Sequence, residues 1–274
     1  MTEMDLATVL PLVALLIVSG AAIGILAGVF GVGGGAISVP VFYETFQRIG
    51  MEPDVAMPLA VGTSLAMIVP TSILAARRHA EKGTVDWGIL KAWIVPILIG
   101  VILGSVLAFF ARAAVFQSVF VLVAGTLSIK LLFGSDGWRI SDNLPGPFAT
   151  RAYGFVIGVL ASLMGVGGGA ISNFFLTLHG QSMLRAVSTS AGVGVLIAIP
   201  GTIGYILAGW AKPGLPFDAL GYVSSLALAI TAPTALLTTG IGVRLAHRLD
   251  KDVLRRLFGA FFLLVCLRFV IELF

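Results

Sequence analysis

The segment Gly31-Val32-Gly33-Gly34-Gly35-Ala36-Ile37-Ser38 recurs as Gly165-Val166-Gly167-Gly168-Gly169-Ala170-Ile171-Ser172, and each copy interrupts an otherwise continuous apolar stretch. Glycine in a helix interior costs about 1 kcal/mol relative to alanine, and three adjacent glycines expose backbone that hydrocarbon cannot satisfy. Such a segment survives at membrane depth only where it is packed in protein or lines a wet cavity. A short apolar segment follows each run, residues 36–46 and 170–178. Each break is therefore predicted to start a half-helix whose free N–H groups point into a cavity and favour an anion.

Hydrophobic residues make up 58% of the 274-residue chain and charged residues 11%, with a mean hydropathy of +1.06. A soluble globular domain carries about a quarter charged residues, so that class is excluded and an all-α polytopic membrane protein is expected. Residues 1–5 include Glu3 and Asp5 but no Lys or Arg. The basic start of a cleaved signal peptide is missing, and the first apolar stretch is expected to stay in the protein. The lone Cys266 lies in an apolar run and reads as a small core hydrophobe. The net charge of +4 is spread over loops and forms no tract for nucleic acid.

Helices are predicted over residues 6–29, 56–76, 89–110 and 115–133, with the first half-helix at 36–47. After a polar linker, 134–150, the order repeats: 153–164, a half-helix at 170–179, then 186–209, 220–243 and 253–273. Residues 24–42 align with 158–176 without a gap, and 56–73 align with 186–203, matching Gly62 with Gly192 and Pro70 with Pro200. The chain thus reads as a single transmembrane domain of two repeats, 6–133 and 151–274.

Charge placement decides how the repeats are related. If each half-helix returns to its own side, each repeat has five membrane segments, and the odd number inverts the second. With the 77–91 loop inside, the inside set is Arg77, Arg78, Lys82, Lys91, Lys130, Arg139, Arg151, Arg185, Arg244, Arg248, Lys251, Arg255 and Arg256. Only Arg48, Arg112, Lys212 and Arg268 fall outside, a split of 13 to 4 among the 17 basic residues. A parallel repeat would put the basic loops 77–91 and 244–256 on opposite faces. The charges favour inverted repeats with both termini outside.

No apolar segment has Asp or Glu near its middle, and His79, His179 and His247 fall near segment ends. Gly-x-Ser-x-Gly, His-Glu-x-x-His and Cys-x-x-Cys are all missing from the sequence, so no enzyme, metal or cofactor is predicted. His179 reads as an interfacial structural residue. No acidic side chain is expected to carry a coupling proton, Glu44 being the nearest candidate. A dinucleotide fingerprint would need a preceding strand, whereas these glycines follow a membrane-length helix and occur twice. Close helix packing explains isolated Gly20, Gly24 and Gly28, but only one or two of three consecutive glycines can face a neighbour. Uncharged polar side chains gather beside the breaks. The predicted substrate site therefore comprises Gly33, Gly34, Gly35, Ser38, Thr63 and Ser64 from the first repeat. From the second come Gly167, Gly168, Gly169, Ser172, Asn173, Ser188, Thr189 and Ser190. Two half-helix N-termini and these hydroxyls could coordinate a compact oxyanion without a fixed cation.

The paired motif Gly31-Val32-Gly33-Gly34-Gly35 with Pro40, its repeat near the midpoint, and Gly62-Thr63-Ser64-Leu65 resemble the TauE/SafE sulfite and organosulfonate exporter family over essentially the full chain. The second copy departs from the first, with Asn173 and Phe174 in place of Val39 and Pro40. The resemblance implies a multi-pass inner (plasma) membrane permease that moves sulfite, sulfoacetate or related anions, commonly outward. Its partners would be a small anionic substrate and the lipid bilayer, with a homodimer as the candidate assembly. The alternatives are a permease for another small anion such as a carboxylate, or a non-transporting membrane assembly subunit.

Overall fold

The computed structural model describes residues 6–30, 35–133, 139–210, 212–246 and 250–273. The chain runs α1 (Leu6–Phe30), α2 (Gly35–Arg48), α3 (Pro53–Glu81), α4 (Trp87–Phe110), α5 (Ala113–Phe133), α6 (Pro147–Met164), α7 (Gly169–Leu178) and α8 (Met183–Ala208). A short hairpin, β1 (Ala219–Leu220) and β2 (Val223–Ser224), precedes α9 (Ser225–Ala246) and α10 (Lys251–Leu273). Among the described residues, α3, α4, α5, α6, α8 and residues 225–242 of α9 are long and apolar enough to cross a membrane. Local chemistry sets several ends. Proline opens α3 and α6, where its missing N–H costs nothing. Asp86 and Ser182 cap α4 and α8 by accepting from Ile89 N–H and Arg185 N–H.

The all-helical expectation holds apart from the hairpin. Residues 220–224 were expected in a helix, but Gly221 adopts a φ of +55° and Asp218 gathers the chain instead. Its carboxylate accepts from Ser224 Oγ at 2.6 Å and from Leu226 N–H at 2.9 Å. The helix at 56–76 also extends at both ends, taking Arg77, Arg78 and His79 into α3.

Helices pair reciprocally between the halves. α1 packs along α9 and α4 along α6, while α3 packs on α8 and α5 on α10. Small residues allow the close approaches. Gly20 lies against the Thr231 backbone, Gly24 against Ala235, and Gly100 against Phe155 and Gly158, so these glycines do serve packing. α3 and α8 run antiparallel: His79 near the end of α3 bonds Ser188 near the start of α8 at 3.0 Å, whereas Gly62 earlier in α3 abuts Tyr205 late in α8. α5 and α10 are antiparallel too, with Gln117 reaching Glu272 and Ser128 donating to the Gly259 carbonyl.

Candidate functional site

The second break can be followed residue by residue. α6 ends at Gly165 with φ +65°, and Gly168, with φ +68°, precedes the first turn of α7. Side chains with a Cβ pay about 1–2 kcal/mol in this left-handed region, so the two turning points call for glycine. Gly31 to Gly34 of the first break, including the predicted site residues Gly33 and Gly34, lie outside the described residues, which resume at Gly35.

The start of α2 meets the second break beside α3. A methyl group on Gly35 would sit 3.1 Å from Val166 Cα and 3.2 Å from the Gly165 carbonyl oxygen. Ile68 of α3 wedges between them, its side chain lying against both Gly35 and Gly167. The start of α2 is thus packed shut. The start of α7 is not, because a methyl on Gly169 would meet nothing within 4 Å among the described residues, and Gly169 and Ala170 keep partial exposure where Gly165 to Gly168 are buried. The N–H groups of Gly169, Ala170 and Ile171 cannot be satisfied within α7 itself, since a helix leaves its first turn of donors free.

The predicted hydroxyls sort into two kinds. Ser64 donates to the Gly165 carbonyl at 2.7 Å and contacts Ser38 Oγ at 2.6 Å, so its single proton leaves Ser38 to donate to it. A residue of each repeat is thereby joined across the breaks. Ser172 lies 2.6 Å from the Gly168 carbonyl and 2.9 Å from Ser190 Oγ, the corresponding pairing of α7 with α8. Thr63, Thr189 and Ser188 lie further out. Thr63 accepts from Ser224 N–H, and Thr189 accepts from Asp86 N–H, both at 3.0 Å. Each threonine of a central helix therefore fixes the residue that opens α9 or α4 in the other half. Ser188 is held by His79. These three hydroxyls position helices, and the structure does not bring them to the breaks.

Asn173 sits on the fifth residue of α7, while Gly168 occupies the capping position, so Asn173 does not cap its helix. Its side-chain oxygen is buried without a hydrogen-bond partner among the described residues. His179 is buried, bonds the Phe175 carbonyl at 2.9 Å and packs on the rings of Phe175 and Tyr153, the structural role expected of it.

Sequence reasoning missed Ser72 of α3, whose Cβ lies 3.2 Å from where a methyl on Gly194 would stand beside the Gly167 carbonyl. It also missed a polar cluster at the far end of α2. Glu272 accepts from Tyr43 Oη at 2.9 Å and Gln117 Nε2 at 2.6 Å, and pairs with Arg268 at 2.9 Å. Arg268 reaches Glu44 at 2.8 Å. The cluster ties α2 to α5 and α10 at the opposite end of the half-helix from the breaks. Glu44, picked out in sequence as the nearest acid, is thus half of an ion pair.

A bundle of membrane-length helices in which an unwound glycine segment with uncharged polar neighbours separates a helix from a half-helix fits a transporter architecture. The sulfite exporter TauE/SafE family model matches residues 16–269. The chain belongs to that family, and it is a multi-pass membrane transporter. A probable membrane transporter protein of Haemophilus influenzae is 28% identical over 253 residues, covering 92% of this chain and 96% of that protein. One from Methanocaldococcus jannaschii is 29% identical over 247 residues, covering 89% and 90%. Another, from Bacillus subtilis, is 24% identical and covers 71% and 78%. No solved structure matches the chain significantly.

Proposed function

We propose that the chain exports small sulfur-containing anions, such as sulfite, sulfoacetate or other organosulfonates, across the plasma membrane by alternating access around the paired breaks. The observation that carries this reading is the start of α7, where first-turn N–H groups without helical partners follow Gly168, Gly169 is unobstructed among the described residues, and Ser172 meets Ser190. Backbone donors at a helix start favour an anion, and neutral hydroxyls hold it weakly enough for release. The family description supplies the sulfur class. Efflux from vesicles reconstituted with the purified protein tests it. Sulfite and sulfoacetate should leave faster than from protein-free vesicles. Efflux of acetate or another carboxylate with no movement of either sulfur anion would replace the proposed substrate.

Alternating access in this reading uses two inverted repeats, 6–133 and 151–274. Its support is that α3 and α8, and likewise α5 and α10, hold matching places in the repeats and run antiparallel. With the 13-to-4 charge split, the loops after α3 and α8 belong on opposite faces. Single cysteines at Thr84 and Gly214, in a Cys266→Ser background, should react with an impermeant maleimide from opposite sides of oriented membranes. Labelling of both from one side contradicts the inverted arrangement.

The amide of Asn173 distinguishes the half-site at α7 from that at α2, where Val39 stands. An anion with an oxyanion head and a different remainder would place its head towards Asn173. Asn173 caps no helix and its buried Oδ1 has no hydrogen-bond partner among the described residues, so Asn173→Ala should hardly change the melting temperature. Loss of a hydrogen bond to a charged ligand costs about 1.5–3 kcal/mol, and anion affinity should fall roughly 10- to 150-fold. Unchanged affinity in calorimetric titration would take Asn173 out of the site.

A further inference from the structure

Away from the breaks, the final turns of α4 and α8 enclose a groove of about 530 Å³ on the outer surface of the bundle, lined by Ile102, Ser105, Val106 and Phe109 of α4 and by Ile203 and Leu207 of α8. Both helices are of membrane-spanning length, and all of these side chains except Ser105 are exposed. An exposed apolar face is ordinary at a lipid boundary. Three features make this one more specific.

The first is a cation fixed at its end. Lys212 donates from Nζ to the Phe109 carbonyl at 3.1 Å, and its ammonium stands 4.0 Å from the centre of the Phe109 ring. A residue that lines the groove thus anchors the charge at its mouth, and two of the three ammonium protons remain to be shared. Exposed Arg112 follows two residues after Phe110, another lining residue. Among the described residues no carboxylate forms an ion pair with either cation. Asp54, the neighbouring acid, accepts from Ala113 N–H at 2.8 Å. The second is Ser105. It is 6% exposed, yet its hydroxyl on the groove floor has no hydrogen-bond partner among the described residues. It lies five residues before the end of α4, about 7.5 Å along the axis. The polar interfacial layer of a bilayer is about 5–8 Å thick on each side, so with the end of α4 at the bilayer surface that hydroxyl would reach the depth of lipid ester carbonyls. The third is Trp210, exposed beyond the end of α8, a residue type that favours the membrane interface.

We propose that this groove binds one phospholipid with an anionic headgroup. Its phosphate lies between Lys212 and Arg112, an ester carbonyl accepts from Ser105, and one acyl chain fills the groove along Val106 and Ile203. A second copy of the chain fits less well, because a two-fold contact through the groove would bring the same two cations of both copies together at one rim.

The test uses the purified, delipidated full chain, with phosphatidylglycerol and phosphatidylcholine of identical acyl chains as probes and native mass spectrometry as readout. The wild type should retain one phosphatidylglycerol per chain in preference to phosphatidylcholine. Near a membrane surface each basic residue contributes about fivefold in affinity for an anionic lipid, so Lys212→Gln should cut phosphatidylglycerol retention about fivefold and leave phosphatidylcholine unchanged. Val106→Trp, at a half-exposed position outside the packed core, should reduce both by filling the groove. Equal retention of the two lipids by the wild type, or an unaltered preference in Lys212→Gln, overturns the proposal. So does a Val106→Trp variant that keeps the lipid and loses a dimer peak, which would assign the groove to a second copy.

Discussion

Gly168→Leu is expected to abolish transport. At φ +68° any Cβ is strained, and this one would run into Ile197 Cδ1 and stand 3.2 Å from Val193 Cγ1. The break would have to shift, carrying with it the Gly168 carbonyl that binds Ser172 and the free N–H groups that follow. Flux should drop at least 100-fold, since displacing catalytic or binding groups by about 1 Å costs that much. Gly20→Leu serves as the comparison. Its side chain would meet the Thr231 backbone in the α1–α9 seam, far from the breaks, and should chiefly lower the melting temperature. Vesicle flux and melting curves on both variants separate the effects. Wild-type substrate affinity in Gly168→Leu would contradict the site.

Glu272→Ala is expected to be the most destabilising change at the α2 end. It strips Tyr43 Oη of its acceptor, leaves the Gln117 amide with Tyr43 Oη alone at 3.1 Å, both residues being almost fully buried, and leaves Arg268 with Glu44 alone. Each orphaned buried donor costs about 1–3 kcal/mol, so a total of roughly 2–5 kcal/mol should appear as a melting temperature lowered by about 5–10 °C. Glu272→Gln, which keeps an acceptor oxygen, should recover most of it. Glu44→Gln breaks only a partly exposed ion pair, worth about 0–1 kcal/mol, and transport should continue. If Glu44→Gln abolished flux in folded, inserted protein, coupling would have to pass through that carboxylate.

Hydropathy and the doubled glycine run made the membrane helices and both half-helices legible, because each rests on local pattern and on backbone that hydrocarbon cannot satisfy. The pairings of Ser38 with Ser64 and Ser172 with Ser190 join residues already chosen for their places beside the breaks. Thr63 and Thr189 looked equivalent to these in sequence, yet each faces outward to a backbone N–H more than 100 residues away, a partner no spacing rule locates. The Glu272 cluster was hidden for a related reason. Its members come from α2, α5 and α10, which lie far apart in sequence, and no spacing brings them together. The difference between the two helix starts was also out of reach. Whether Gly35 is shut depends on Ile68 and on its approach to Gly165 and Val166, not on the glycine itself.

The central claim is that a small anion binds at the open start of α7, against α8. Ser190, bonded to Ser172 beside that space, allows a direct test. With Ser190→Cys in a Cys266→Ser background, alkylation should be slowed by sulfoacetate over the concentrations that saturate transport and unaffected by equal chloride. Sulfoacetate suits this test better than sulfite, which itself consumes maleimides. Labelling that proceeds at the same rate with and without saturating sulfoacetate would contradict the account.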